Sequence, residues 1–256
     1  MVPLTRITTC TTTPVMKKPS LIPLLAGLVL PLAALCPQAR AAITLVNATA
    51  TVEQSDVGNP YLISRAIDGD TTSSTQGWAV FPGRTSNQSA VFQTASTVVG
   101  SDWAFDLFFS HFATGHKIQQ FRISATEDAN PTVSSGATWT ILDPTSVVTN
   151  WGGGATSYVI NGDDSVRVSG IVESGGAFAA DYSVRASSLS SMNVTGFRLE
   201  VLTFDDNGAG GATLGFQSGG NNGNFVLTEF MASPEPSRAV LLLAGLGVLI
   251  VRRRRA

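Results

Sequence analysis

Trp103-Ala104-Phe105-Asp106-Leu107-Phe108-Phe109 decides the fold. Trp103, Phe105, Leu107 and Phe109 fall on one side of a period-2 pattern, and Asp106 falls on the other. That period belongs to a strand with one buried face, since a helix would repeat at 3.6. Lys117 to Ala125 repeats the pattern with Phe121, Ile123 and Ala125, and leaves Arg122 toward solvent. Shorter alternating runs begin at Ile43 and continue at 137–142, 156–160, 165–169, 181–185, 196–204 and 225–232. Arg198 alternates with apolar neighbours just as Arg122 does, and is expected to face solvent. Turn residues separate the runs, and no amphipathic helix stands between them. Parallel strands need crossover helices, so the expectation is all-β: an antiparallel two-sheet β-sandwich of about ten strands. The stretch 205–224 reads as a loose connection, with a functional loop as the alternative.

Composition agrees. The chain has 256 residues, of which 13% are charged and 43% hydrophobic, with 25 glycines. Two His and two Cys exclude a disulfide-dense scaffold or a zinc cage built on those residues. The net charge of −2 hides an asymmetry: from Ala42 to Pro234 there are 7 Lys/Arg against 17 Asp/Glu. An acidic body is a poor partner for nucleic acid, and none is expected.

Both ends read as addresses. Met16-Lys17-Lys18, the expected start of translation, opens a basic segment. A short apolar run to Leu35 follows, interrupted by Pro23, Gly27 and Pro31. Ala39 and Ala41 occupy the small-residue positions of a cleavage site. Residues 1–41 are therefore a secretory leader, removed after Ala41. Cys10 and Cys36 leave with it, so the exported chain would hold no cysteine. At the other end Pro234-Glu235-Pro236 precedes an apolar run, Ala239 to Val251, and then Arg252 to Arg255. Thirteen helical residues reach about 20 Å, short of the roughly 30 Å hydrocarbon core. The arginines would keep that end on the cytoplasmic side.

This arrangement over residues 234–256 resembles the PEP-CTERM sorting signal of Gram-negative bacteria that make exopolysaccharide. The resemblance implies a transient membrane helix behind a rigid, exposed Pro-Glu-Pro. It also implies a partner, a membrane protease of the exosortase type, which cuts near the motif. The localisation implied is the cell envelope or the extracellular matrix.

The body, 42–233, carries a second resemblance. Ala66-Ile67-Asp68-Gly69-Asp70, then Thr72 or Thr75 and Trp78, is similar to the early motif of galactose-binding-like (discoidin, coagulation-factor C-type) jelly-roll sandwiches. His116-Lys117-Ile118, Trp139 to Leu142 and Asn224 to Phe230 follow in the same order. The Asp68-to-Trp78 spacing is longer than that pattern, and 150–185 is an enlarged middle without counterpart. The resemblance implies a structural calcium ion at Asp68, Asp70 and Thr75, closed by Glu229 on the last strand. Against it, Asp68 could merely cap a turn while Glu229 faces solvent. Sugar binding is implied as well, on exposed aromatics at one end. Trp151, in a polar glycine-rich stretch, is the first candidate, and Phe81 with Arg84 the second.

No Gly-x-Ser-x-Gly elbow occurs. His111 and His116 read as structural residues bounding a loop. The expectation is thus a non-catalytic envelope protein, structural or adhesive in an exopolysaccharide layer. The alternatives are a carbohydrate-binding module with a specific glycan, and a secreted hydrolase with cryptic acids among the seventeen carboxylates.

Overall fold

The structure, a computed structural model, describes residues 41–235 except 57, 59, 113–114, 152–156, 170–179, 207, 209–210 and 218–221. Met16, Ala39, Pro236, the apolar run 239–251 and Arg252 to Arg255 lie outside the described residues. Among the described residues no helix is long and apolar enough to cross a membrane.

The strands are β1 (Leu45–Ala50), β2 (Trp78–Ala79), β3 (Gln88–Phe109), β4 (Gln120–Thr126), β5 (Thr140–Ile141), β6 (Asp143–Trp151), β7 (Ser157–Ile160), β8 (Val166–Ser169), β9 (Ala180–Leu202), β10 (Val226–Leu227) and β11 (Glu229–Pro234). All their pairings are antiparallel. Two strands organise the rest. The first half of β3 pairs with β1 and with the second half of β9, and its second half pairs with β11 and with the first half of β9. The second half of β9 also carries β4, and its first half carries β6. The β3–β9 register slips between Gln93 and Val98 and again between Gly100 and Asp102.

At those slips the ribbon folds back on itself. Phe92 pairs in register with Phe197 in one half, and Phe230 pairs with Leu107 in the other. Yet Phe92 and Phe230 stack at 4.4 Å, and Phe197 meets Phe105 and Trp103 edge-on at 5.1 and 5.4 Å. One hydrogen-bonded ladder therefore makes both layers of the sandwich, closed by aromatic rings. The predicted inward face, Trp103, Phe105, Leu107 and Phe109, is buried without exception, as are Phe121, Ile123 and Ala125. Each such side chain contributes about 1.5–3 kcal/mol by leaving water.

Several expectations are corrected. Trp151 is not in a loop: it is the last residue of β6 and pairs with Ala180 of β9. Its side chain lies outside what is described. Arg122 and Arg198 do point away from the core, but both are half-buried and converge on Glu200 at 3.1 and 3.2 Å. The Arg198 guanidinium also covers the Trp139 ring at 4.9 Å. The stretch 205–224 is no loose connection where it is described. Thr213 bridges back to Phe204, Gly215 bridges to Ile118, and Leu214 and Phe216 are buried. The last strand runs through Pro234. Glu235 follows directly, with its carboxylate only 11% exposed, so this part of the motif is not the exposed element the sequence suggests.

The fold has two poles. At the bend pole lie the register slips and both ends of the described chain. There the Ile43 N–H donates to the Ala232 carbonyl at 2.7 Å, and the Glu235 N–H donates to that of Asp102 at 2.8 Å. At the loop pole lie Ala50, Gln88, Phe109, Gln120, Ala180, Leu202 and Glu229, where strands end and the longer connections begin.

Candidate functional site

Three groups of side chains meet at the loop pole. The first is built by a turn and the last strand. A 3₁₀ turn, Ile63–Ile67, ends at Asp68, and Gly69 follows with φ +86°, a left-handed conformation that suits glycine. Asp68 Oδ1 accepts the Asp70 N–H at 3.0 Å. Asp70 Oδ1 accepts the Thr72 N–H at 2.9 Å and the Thr72 hydroxyl at 2.8 Å. These are Asx turns, in which a short carboxylate replaces a main-chain acceptor. Glu229, 5% exposed at the start of β11, accepts the Gly69 N–H on Oε2 at 3.1 Å.

The structure thus brings Glu229 to the Asp68 turn across 160 residues of sequence. Burial pushes the Glu229 carboxyl up to about 7, and the charges of Asp68 and Asp70 push the same way, against the Gly69 and Asp68 N–H groups that favour the anion. Arg65 lies 3.7 Å from Asp68 at the turn's outer side. Thr75 is exposed beyond the turn, with no described contact to these carboxylates. Among the described residues no three His, Cys, Asp or Glu side chains converge as a metal-holding group. An ion here would complete its shell with carbonyl and hydroxyl oxygens. Calcium, which takes six to eight oxygens, accepts such a donor set. Of the three carboxylates only Glu229 is buried; Asp68 and Asp70 are exposed, and each gives an oxygen to an N–H of the turn itself.

The second group was not legible as a site. Tyr61 Oη lies 3.3 Å from His111 Nε2. The His111 ring meets Phe112 at 4.4 Å and His116 at 5.2 Å. Burial first, then the neighbouring His116 and Lys117, holds the His111 imidazole down to about 4, so it is neutral at physiological pH. Phe112 is 57% exposed. The cluster therefore offers an open aromatic face beside a phenol and imidazoles. The Phe112 N–H donates to the Ser74 carbonyl, and the Ser110 hydroxyl donates to that of Thr71, so this group leans on the Asp68 turn.

The third group is the predicted pair. The Arg84 guanidinium lies 4.4 Å over the Phe81 ring, and Phe81 is 39% exposed. The Phe81–Pro82 peptide is cis. The two-stranded β2–β10 ribbon links the second and third groups. Val226 pairs with Ala79, two residues before Phe81, and its N–H donates to the His116 carbonyl at 3.0 Å.

Of the residues expected at the two processing sites, the described ones, Ala41, Pro234 and Glu235, lie at the opposite pole. Ala41 is exposed at the start of the described chain. Pro234 pairs with Trp103, and Glu235 meets Arg185 at 3.1 Å.

No family model matches the chain, and no curated protein does. Among solved structures it is similar to the module CpGH89CBM32-5 from Clostridium perfringens, solved with GalNAc-β-1,3-galactose. The identity is 17% and the TM-score 0.45, over 75% of this chain and 99% of that one. It is also similar to the family 32 carbohydrate-binding module of EndoD from Streptococcus pneumoniae, at 12% identity and TM-score 0.42, over 76% and 100%. A chitosan-binding module from Paenibacillus sp. IK-5 aligns at 15% identity and TM-score 0.37, over 75% and 97%. None of these likenesses assigns a ligand to this chain.

Proposed function

We propose that the protein is an exported, non-catalytic envelope module that binds carbohydrate at its loop pole. The observation that carries the reading is Phe112, exposed beside His111, His116 and Tyr61. A sugar ring has an apolar C–H face and a polar rim. An open phenyl ring takes the first, and neighbouring phenol and imidazole groups take the second. Phe81 with Arg84 extends the same pole, and Trp151 ends β6 there. The ligand class is a neutral or weakly charged glycan of an exopolysaccharide layer. Calcium at Asp68, Asp70 and Glu229 would serve the fold, by neutralising a buried carboxylate beneath that surface. The sequence pattern of the tail supports sorting by an exosortase-type membrane protease, with transient membrane insertion of the segment 239–251. The test is a glycan array probed with the purified protein, followed by incubation with the glycans it retains. Retention without breakdown supports the module. No retained glycan returns the reading to a structural role, and product formation makes the protein a hydrolase.

A further inference from the structure

The tail pattern and the fold overlap at Pro234 and Glu235. Pro234 and Pro236 have no N–H, so the only main-chain donor in Pro-Glu-Pro is that of Glu235. It is already given to the Asp102 carbonyl at 2.8 Å. The Glu235 carboxylate is turned onto the sheet, 11% exposed, and accepts from Arg185 Nη1 at 3.1 Å. Arg185 is fixed in β9 by pairing with Ala104 on one side and Ser146 on the other. The preceding residues, Ser233 and Pro234, are in register with Ala104 and Trp103.

We propose that Arg185 and the Asp102 carbonyl latch the processing motif to the body, so that a protease reaches it only when the end of β11 detaches. This rests on the sorting reading above. Proteases and other strand-capturing proteins hold an extended segment through its main-chain groups. The single N–H of this motif cannot serve Asp102 and a protease together, and its carboxylate, 11% exposed on the sheet, cannot enter a recognition pocket while it stays there. Docked and captured states therefore exclude each other, and the strength of the latch sets the fraction available. Arg185 is 53% exposed, so its removal opens no core cavity.

The test uses the full chain in a host that carries an exosortase-type protease, with conversion of the precursor followed by intact mass. Arg185→Ala should raise the conversion rate about fivefold, the factor expected for losing one half-exposed ion pair. Arg185→Lys should restore a rate near the parent's. On the purified precursor, the Glu235 amide should exchange with solvent several-fold faster in Arg185→Ala than in the parent, at nearly the same melting temperature. A parent that is never processed defeats the sorting reading itself. A processed parent with an unchanged or slower Arg185→Ala, or an unchanged Glu235 amide, overturns the latch and leaves the sorting reading standing.

Discussion

The carboxylate of Glu229 on the last strand accepts the N–H of Gly69 in the first long connection, at 3.1 Å. That bond ties the two ends of the body's sequence together at the loop pole. It also leaves an acid buried beside two others.

The first expected outcome concerns pH. In the folded protein without bound metal the Glu229 pKa stands near 7, above its ordinary 4.5. The folded state then holds the proton more tightly than the unfolded chain. Stability therefore rises as pH falls from about 7 toward 4.5, by an amount on the order of 2 kcal/mol. Glu229→Gln should be more stable than the parent at pH 8 in chelator, and the gap should close by pH 5. Melting curves of both proteins across that range check it.

A second group works in the opposite sense. The His111 pKa lies near 4, below its ordinary 6.5, so the unfolded chain binds the proton first. Stability present above 6.5 is lost as pH falls toward 4, again on the order of 2 kcal/mol. His111→Phe should flatten that loss between pH 6 and 4.5. Denaturant midpoints at both pH values, parent against variant, give the measurement.

Calcium offers a third test. An ion that binds only the folded state adds about 2.7 kcal/mol at a hundredfold excess over its dissociation constant. Chelation should lower the melting temperature of the parent. Asp68→Ala should abolish that response, whereas Asp163→Ala, in the β7–β8 turn, should keep it. A parent indifferent to chelator at neutral pH would leave Asp68 as a turn residue.

Glycan retention should depend on the exposed rings. Phe112→Ala should weaken binding about fivefold, since a stacked ring contributes on the order of 1 kcal/mol. The melting temperature should barely move, because more than half of that side chain is in solvent. Phe81→Ala should weaken binding less. Equal retention by both variants places the ligand elsewhere.

The closure of the two layers is tested at Phe230. It stacks on Phe92 at 4.4 Å and on Phe105 at 5.8 Å, across the fold of the ribbon. Phe230→Ala should cost about 3–5 kcal/mol, as for other large-to-small changes in a core. Chemical denaturation measures it.

Strands with one buried face were legible because their apolar residues alternate, as at Trp103 to Phe109. The first half of β3 was not. Ala90, Val91 and Phe92 are all buried, so the alternation is erased. The cause is the connection 127–139, which covers the outer face: the Gln93 amide donates to the Pro131 carbonyl at 3.1 Å, and the Val133 N–H to Thr49 at 3.1 Å. Gly196 lies so close that a Cβ there would stand 2.6 Å from Pro131. The middle of β9 was concealed for a different reason: Leu189 to Ser191 are exposed and Ser188 to Ser191 lie in the register slip opposite Gly100 and Asp102, so no buried face marks them. The Asp68–Glu229 approach was legible only through resemblance to a known sandwich. The Tyr61–His111 contact spans fifty residues with no spacing rule to announce it. Sequence periodicity speaks of neighbours along one element, and these groups meet only through the ladder.

The position of the chain ends has a mechanical meaning. The last strand leaves the body at the bend pole, and the exposed rings stand at the other. With the tail held at a membrane and a polymer held by the loops, tension would run along β11 rather than across it. Its six paired residues, Glu229 to Pro234, would then resist together in shear instead of opening one by one. Survival under such load is governed by the unfolding rate rather than by equilibrium stability. The ladder between β11 and β3 would thus be the element that sets how hard the module can be pulled.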